Sequence, residues 1–187
     1  MTHLRYALVA EAGSYSLQGQ DVPLRRSIPP DHPIYAQIGR VVAQAAHWEH
    51  LLARLVLDLQ GVPRSEGGAR AQPGPADSLR KAIHHARERS LPESLLQALM
   101  IAEAEAQGLA DRRNQIVHGP AYVGEGGEIE RSAATKQELN AAIEAGSPRF
   151  GFIGVSETEL ETLRIDLVNA TSTAHELREC VRQALKL

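Results

Sequence analysis

Two long stretches of the chain carry an apolar residue at every third or fourth position, which is the repeat of an α-helix that buries one face. The first stretch spans residues 34–59, and the second follows the capping-box sequence Ser156-Glu157-Thr158-Glu159. Helices of this length bury their apolar faces by packing against other helices, so we expect a helical fold. The apolar positions are Ile38, Val41, Ala45, Trp48, Leu52, Leu55 and Leu59, and then Leu160, Leu163, Leu167, Ala170, Ala174, Leu177, Val181 and Ala184.

The composition and the remaining patterns favour the same fold. Aromatic residues make up only 4% of the chain, which suits helix packing better than a β-sandwich or barrel. A shorter helix is predicted from Asp77 or Ser78 to about Arg89, and a longer one begins around Pro92 and runs to about Ile116. We therefore expect an all-α protein, built as an antiparallel bundle of four main helices.

Two segments fall outside the helical pattern. Residues 1–33 form a predicted N-terminal arm, and residues 34–187 form the bundle domain. Residues 119–155 form a small irregular insertion before the last helix. The predicted elements in these segments are a short strand near Tyr6 to Val9, a β-hairpin made by Tyr122-Val123 and Glu128-Ile129-Glu130, a short helix over 135–145 and an extended piece over 150–155.

Charge, cysteine content and hydropathy limit the possible functions. The formal net charge is −3, so any contact with nucleic acid must come from a local basic patch. The single cysteine, Cys180, cannot form an internal disulfide. The chain has no run of about eighteen apolar residues and its first residues do not form a signal peptide, so we expect a cytoplasmic protein without a membrane partner.

The most concentrated chemistry lies in residues 111–120, where the third helix is predicted to end. The apolar face of this helix passes through Leu109 and Ile116, and by spacing position 113 belongs to it, yet position 113 is an arginine. A buried guanidinium is costly when it has no partner, so Arg113 requires a cleft, an interface or an acidic partner such as Glu49 of the first helix. The residues leave both an ion pair and contact with a phosphate open.

Arginine, asparagine and histidine together have the functional groups for cleaving RNA without a metal ion. Arg113 can bind the scissile phosphate, His118 can transfer a proton to or from the sugar oxygens, and Asn114 can orient either group. Five residues of continuous helix correspond to roughly 140° of rotation, so Arg113 and His118 converge only if the helix ends or bends before His118. Gly119-Pro120 is predicted to provide that end. Considered alone, His118 is also explained by the dipole and free carbonyl groups of a helix C-terminus.

The sequence Arg113-Asn114-Gln115-Ile116-Val117-His118 resembles the R-x4-6-H signature of the HEPN superfamily, whose members are all-α bundles. The order of elements is also similar, with a long first helix, the motif at the end of a later long helix, and a final helix packed back. The resemblance implies a homodimer in which two motifs face each other, and a metal-independent endoribonuclease without a cofactor. It further implies that Arg113 and His118 are the catalytic pair and that Asn114 is their polar neighbour.

Members of this superfamily occur as toxins and phage-defence effectors, so the expected substrate is RNA and the expected partner is an antitoxin or a defence complex. Some antitoxins of nucleotidyltransferase type modify a tyrosine two residues after the histidine. This sequence has Pro120 at that position, and its nearest tyrosine is Tyr122. The alternative from another functional class is a non-catalytic helical module for dimerisation, nucleotide binding or scaffolding of a larger complex.

A basic run on the second helix is the main candidate for RNA contact outside the motif. Residues 78–90 carry four basic side chains against one acidic side chain, a net charge of +3. We expect RNA contacts from Arg80, Lys81 and Arg87 and, within the motif region, from Arg112. A solvated helix face is the simpler explanation of the same run.

The histidines of the first two helices do not predict a metal site. His47 and His50 lie three residues apart, but no Glu-x-x-His motif elsewhere completes a metal cluster, so partly exposed histidines are expected. Adjacent helical residues point about 100° apart, so His84 and His85 are not expected to bind one metal ion together.

Overall fold

Four helices form the body of the protein in a computed structural model, which describes residues 14–17, 20–23, 26–62, 73–118, 121–123, 129–132 and 152–187. The helices pack against each other around one apolar core, so the predicted all-α bundle of four main helices is confirmed. Their bounds are α1 (Pro33–Gln60), α2 (Pro75–Glu88), α3 (Glu93–His118) and α4 (Glu157–Leu185). The most deeply buried side chains include Leu52, Leu55, Leu59, Leu79, Leu99, Leu163 and Leu167.

The two ends of α1 are set by local sequence. His32 caps the first turn, because its Nδ1 accepts a hydrogen bond from the backbone N–H of Ile34 at 3.2 Å, and Pro33 occupies the first helical position. Gly61 ends the helix in the left-handed conformation, with a φ of 73°. The apolar face predicted between these ends is buried in the core.

The capping box predicted for α4 is confirmed. The Ser156 hydroxyl accepts from the backbone N–H of Glu159 at 3.1 Å, and a Glu159 carboxylate oxygen accepts from the backbone N–H of Ser156 at 2.8 Å. The helix then buries Leu160, Leu163 and Leu167 in sequence. The same three-four spacing that predicted α4 therefore positions it against the core.

Helix directions follow from the contacts between helices. Gln44 of α1 contacts Thr171 of α4, and Asp58 further along α1 contacts Arg178 further along α4, so the two helices run parallel. α2 also ends beside the end of α1, where the side chains of Gln60 and His85 lie 3.1 Å apart. α3 runs in the opposite direction to the other three helices.

This arrangement depends on two long connections. Residues 61–74 connect α1 to α2, and residues 119–156 connect α3 to α4. The antiparallel relationship predicted for the bundle thus holds for α3 against its neighbours, while α1 and α4 are parallel.

Within the described ranges, six short strands accompany the helices. β1 (Ser14–Leu17) and β2 (Gln20–Pro23) form an antiparallel pair, while β3 (Arg26–Ser27), β4 (Ala121–Val123), β5 (Ile129–Ser132) and β6 (Phe152–Gly154) form a four-stranded antiparallel sheet in that order. The predicted β-hairpin corresponds to β4 and β5, where Tyr122 pairs with Glu130, and the predicted extended piece contains β6. The strand predicted near Tyr6 to Val9 and the helix predicted over 135–145 lie outside the described residues.

Across the part of the chain that the structure describes, each helix is either too short or too polar to cross a lipid bilayer.

Candidate functional site

Arg113 occupies the position on the apolar face of α3 that the spacing indicates, and it is paired. Its Nη2 donates to Oε1 of Glu49 on α1, and the Arg113 and Glu49 side chains are 19% and 31% exposed. The ion pair that the sequence allowed is therefore present, and it joins α3 to the middle of α1. Because the carboxylate neutralises the guanidinium, Arg113 has no uncompensated positive charge in this conformation.

The two residues beside Arg113 face more open surroundings. Arg112 donates from Nη1 to Oδ2 of Asp166 on α4 at 2.7 Å, and both side chains are more than a third exposed. Asn114 is exposed. The adjacent arginines thus tie α3 to α1 on one side and to α4 on the other.

His118 is the last residue of α3, which remains helical up to that point. The helix therefore does not end before His118, and five helical residues place positions 113 and 118 roughly 140° apart. The helix itself does not bring these positions to one face. The predicted orientation of the His118 side chain and the predicted role of Gly119-Pro120 lie outside the described residues.

A groove between α3 and α4 lies beside Arg112. It has a volume of about 560 Å³, and small residues such as Ala104 and Gly108 on α3 and Thr173 on α4 line it. Trp48 contributes to its apolar lining, and the Arg112–Asp166 pair lies at its edge. The groove was not predicted from the sequence, where the only signal is the presence of small residues on both helices.

The basic run of α2 is not beside the motif. Arg80 pairs with Asp77 at 3.0 Å and with Glu103 of α3 at 3.4 Å, while Arg87 contacts the sulfur of Met100 at 3.9 Å. Lys81 is exposed. Glu103 precedes Arg113 by ten residues, or about 15 Å along the helix axis. The structure thus separates the candidate RNA-binding residues of α2 from the motif.

The two histidines of α1 and the two histidines of α2 have different surroundings. His47 and His50 are exposed, as expected. His84 and His85, in contrast, both reach the carboxylate of Glu88, and the ligand atoms of these three side chains lie within 4.8 Å of one another. The approach of both rings to one carboxylate was not predicted from helical rotation alone. Nε2 of His84 reaches Glu88 four residues further along the helix, and Nδ1 of His85 reaches it three residues further along.

A buried ionic cluster between α1 and α4 was also not predicted from the sequence. Asp58 and Arg178 are each 7% exposed and form a hydrogen-bonded ion pair at 2.6 Å, and Arg54 lies 3.8 Å from the same carboxylate. Asp58 and Arg178 each adjoin an apolar core position in the sequence, but the two residues are 120 positions apart. No local pattern links them.

Comparison of the chain with protein-family models, with curated proteins and with solved structures gave no match in any of the three.

Proposed function

We propose that the protein is a metal-independent endoribonuclease of HEPN type that acts as a homodimer. The observation that carries this proposal is the position of Arg113: a guanidinium on the apolar face of α3, five residues before a histidine at the end of that helix, within an all-α bundle. An apolar residue would serve packing better at position 113, so the arginine calls for a role beyond core formation.

The reaction uses the hydroxyl group of the RNA itself. The 2′-oxygen attacks the adjacent phosphorus, the bond from phosphorus to the 5′-oxygen breaks, and the products are a 2′,3′-cyclic phosphate and a free 5′-hydroxyl. One proton leaves the 2′-oxygen and one joins the 5′-oxygen, so His118 acts in proton transfer. Arg113 stabilises the negative charge on the phosphate oxygens, and Asn114 orients the reacting groups.

A homodimer is part of the proposal because the resemblance to the HEPN superfamily implies one. Positions 113 and 118 lie on different faces of one continuous α3, and Glu49 holds Arg113 towards its own bundle. In the proposed dimer two copies of α3 face each other, and the arginine of one copy acts together with the histidine of the other. Glu49 then acts as a positioning residue that fixes the guanidinium before RNA binds.

The proposed biological setting is that of a toxin or phage-defence effector in the cytoplasm, regulated by an antitoxin or by another component of a defence complex. The lone cysteine, Cys180, fits a reducing compartment. Arg112 contributes to RNA binding beside the motif, and Arg80, Lys81 and Arg87 contribute at a second position along the strand.

The test is cleavage of end-labelled RNA by the purified protein and its variants. His118→Ala and Arg113→Ala should each abolish cleavage, EDTA should not, and the products should carry cyclic phosphates. Exposed His47 on α1 supplies the matched control, so His47→Ala should cleave like the wild type. If the wild type leaves RNA intact, or if His118→Ala cuts as fast as the wild type, the enzymatic proposal is wrong.

Mixed dimers test the shared cleft separately from the chemistry. A heterodimer of one Arg113→Ala chain and one His118→Ala chain retains an intact arginine and an intact histidine on different copies. It should regain part of the cleavage that both parent variants lack. Wild-type cleavage combined with no recovery in the heterodimer would contradict the dimeric arrangement alone.

A second candidate function has an observation of its own. The Arg113–Glu49 pair is satisfied within one chain, which fits a non-catalytic helical module for dimerisation, nucleotide binding or scaffolding. In that case Glu49→Gln and Arg113→Ala change stability or self-association, and none of the proteins cleaves RNA. Light scattering together with the cleavage assay separates the two functions.

A further inference from the structure

The last turn of α2 carries three potential metal ligands on its surface. His84 Nε2 lies 3.3 Å from one oxygen of the Glu88 carboxylate, and His85 Nδ1 lies 3.0 Å from the other oxygen. One ligand atom from each of the three side chains lies within 4.8 Å of the other two. Two imidazoles therefore bracket a single carboxylate.

We propose that this cluster, the α2 histidine site, binds a divalent transition-metal ion, and specifically Zn²⁺. Two imidazole nitrogens and one carboxylate oxygen are a common ligand set for zinc, whose bonds to these atoms are about 2.0–2.1 Å long. In a tetrahedral site with such bonds, neighbouring ligand atoms lie about 3.3 Å apart. The nitrogen-to-oxygen distances of 3.3 and 3.0 Å, each to a different oxygen of Glu88, are close to that spacing.

Metal binding requires the two histidine nitrogens to come closer to each other. The His84 side chain is exposed and the His85 side chain is partly exposed, so both have room to rotate towards a metal ion. The carboxylate already faces both rings. Three protein ligands leave the fourth position of the metal to water or to a group from another molecule.

A residue on another helix is placed to hold the site in shape. The side-chain amide of Gln60, the last residue of α1, lies 3.1 Å from Nε2 of His85, while Nδ1 of the same ring faces Glu88. When a metal replaces the proton on Nδ1, Nε2 carries the remaining proton, and the Gln60 amide oxygen accepts it after the amide turns over. Metal-bound histidines usually have such a partner on their second nitrogen.

Some of the charges around the α2 histidine site favour a bound cation, and others oppose it. The free carbonyl groups at the C-terminus of α2 favour a cation near Glu88. Arg87 is directed to Met100, and the Arg89 guanidinium lies next to Gly61, so neither one occupies the space between the imidazoles. Both still raise the local positive potential and weaken binding. This proposal does not depend on the ribonuclease proposal, because the α2 histidine site lies apart from the motif.

The experiment is a titration of tag-free, chelator-treated protein with ZnCl₂, followed by calorimetry or by competition with a coloured zinc indicator. We expect one Zn²⁺ per chain near neutral pH and reversal of binding by EDTA. His84→Gln and Glu88→Gln should each weaken binding at least about tenfold, and Gln60→Ala about 10- to 100-fold.

The controls exclude other ligands on the same protein. His47→Gln and Cys180→Ser remove an exposed histidine and the exposed cysteine, and both should bind zinc like the wild type. The ligand side chains lie at the surface, so circular dichroism should show an unchanged fold in every variant. The proposal is wrong if the wild type fails to bind one equivalent of Zn²⁺. It is also wrong if His84→Gln and Glu88→Gln bind zinc with unchanged affinity, or if Cys180→Ser loses binding.

Discussion

Arg178 of α4 donates from Nε to Oδ2 of Asp58 on α1 at 2.6 Å, in a position where each residue is only 7% exposed. Arg54 approaches the other oxygen of Asp58 at 3.8 Å. The Nη2 atoms of Arg54 and Arg178 are buried and have no hydrogen-bond partner within the described part of the chain. One carboxylate thus compensates two buried guanidinium groups at the contact between two parallel helices.

Replacement of Asp58 should destabilise the protein strongly. Asp58→Asn leaves two buried cations without a counter-charge, and breaking a buried pair in this way typically costs about 3–5 kcal/mol. The measurement is the free energy of unfolding in urea. Asp166→Asn is the matched control, because it breaks the exposed Arg112–Asp166 pair, which should be worth less than about 1 kcal/mol. Equal effects of the two substitutions would show that burial does not set the strength of the Asp58 pair.

Local patterns predicted those parts of the fold that depend on neighbouring residues. The buried faces of α1 and α4 follow the apolar spacing of the sequence, and the start of α4 follows the Ser156–Glu159 capping box. The departure from the apolar pattern at position 113 could also be predicted from the sequence, because an arginine interrupts an otherwise apolar face of α3. Its pairing with Glu49 was one of the alternatives that the residues allowed.

Contacts between residues that are distant in the sequence could not be predicted from local patterns. The parallel direction of α1 and α4 rests on contacts between residues more than 100 positions apart, and no local spacing encodes it. The convergence of His84 and His85 on Glu88 depends on side-chain torsions, whereas the prediction used only helical rotation. α3 continues to His118, so the helix does not end before the histidine, although such an end is one of the two ways in which Arg113 and His118 could converge.

The pair between Arg113 and Glu49 should contribute measurably to stability. A double-mutant cycle of Arg113→Met and Glu49→Gln should give a coupling free energy of about 1–2 kcal/mol, because the hydrogen bond is charge-assisted and partly buried. The same cycle with Arg112→Met and Asp166→Asn should give less than about 1 kcal/mol. A coupling near zero for Arg113 and Glu49 would mean that this pair does not hold α3 against α1.

Two glycine substitutions should change stability in opposite directions. Gly61 has a φ of 73°, and an added Cβ would lie 3.3 Å from a guanidinium nitrogen of Arg89, so Gly61→Ala should cost about 1–2 kcal/mol. Gly39 lies within α1 with no atom within 4 Å of an added Cβ, so Gly39→Ala should stabilise by about 0.5–1 kcal/mol. Thermal unfolding of both variants measures the difference. A stabilising Gly61→Ala would contradict the left-handed end of α1.

Glu159 should make the stability of the start of α4 depend on pH. The backbone N–H of Ser156, and after it the Ser156 hydroxyl, hydrogen-bond the Glu159 carboxylate and lower its pKa below the usual value. A lowered folded-state pKa means that the charged form stabilises the fold. This contribution is complete above the unfolded pKa of about 4.3 and is lost as the pH falls through the lower folded value.

Glu159→Gln should therefore be more destabilising at about pH 7 than at about pH 3.5, because protonation makes the wild-type side chain resemble the amide at low pH. Urea unfolding at both pH values measures the difference. Ser156→Ala should cost about 1 kcal/mol at neutral pH, since it removes the cap itself. Glu176→Gln, at an exposed position in the middle of α4, serves as the control and should have little effect at either pH. If Glu159→Gln destabilises equally at both pH values, the charge of Glu159 has no part in the cap, and the hydrogen bonds of the side chain alone stabilise the first turn of α4.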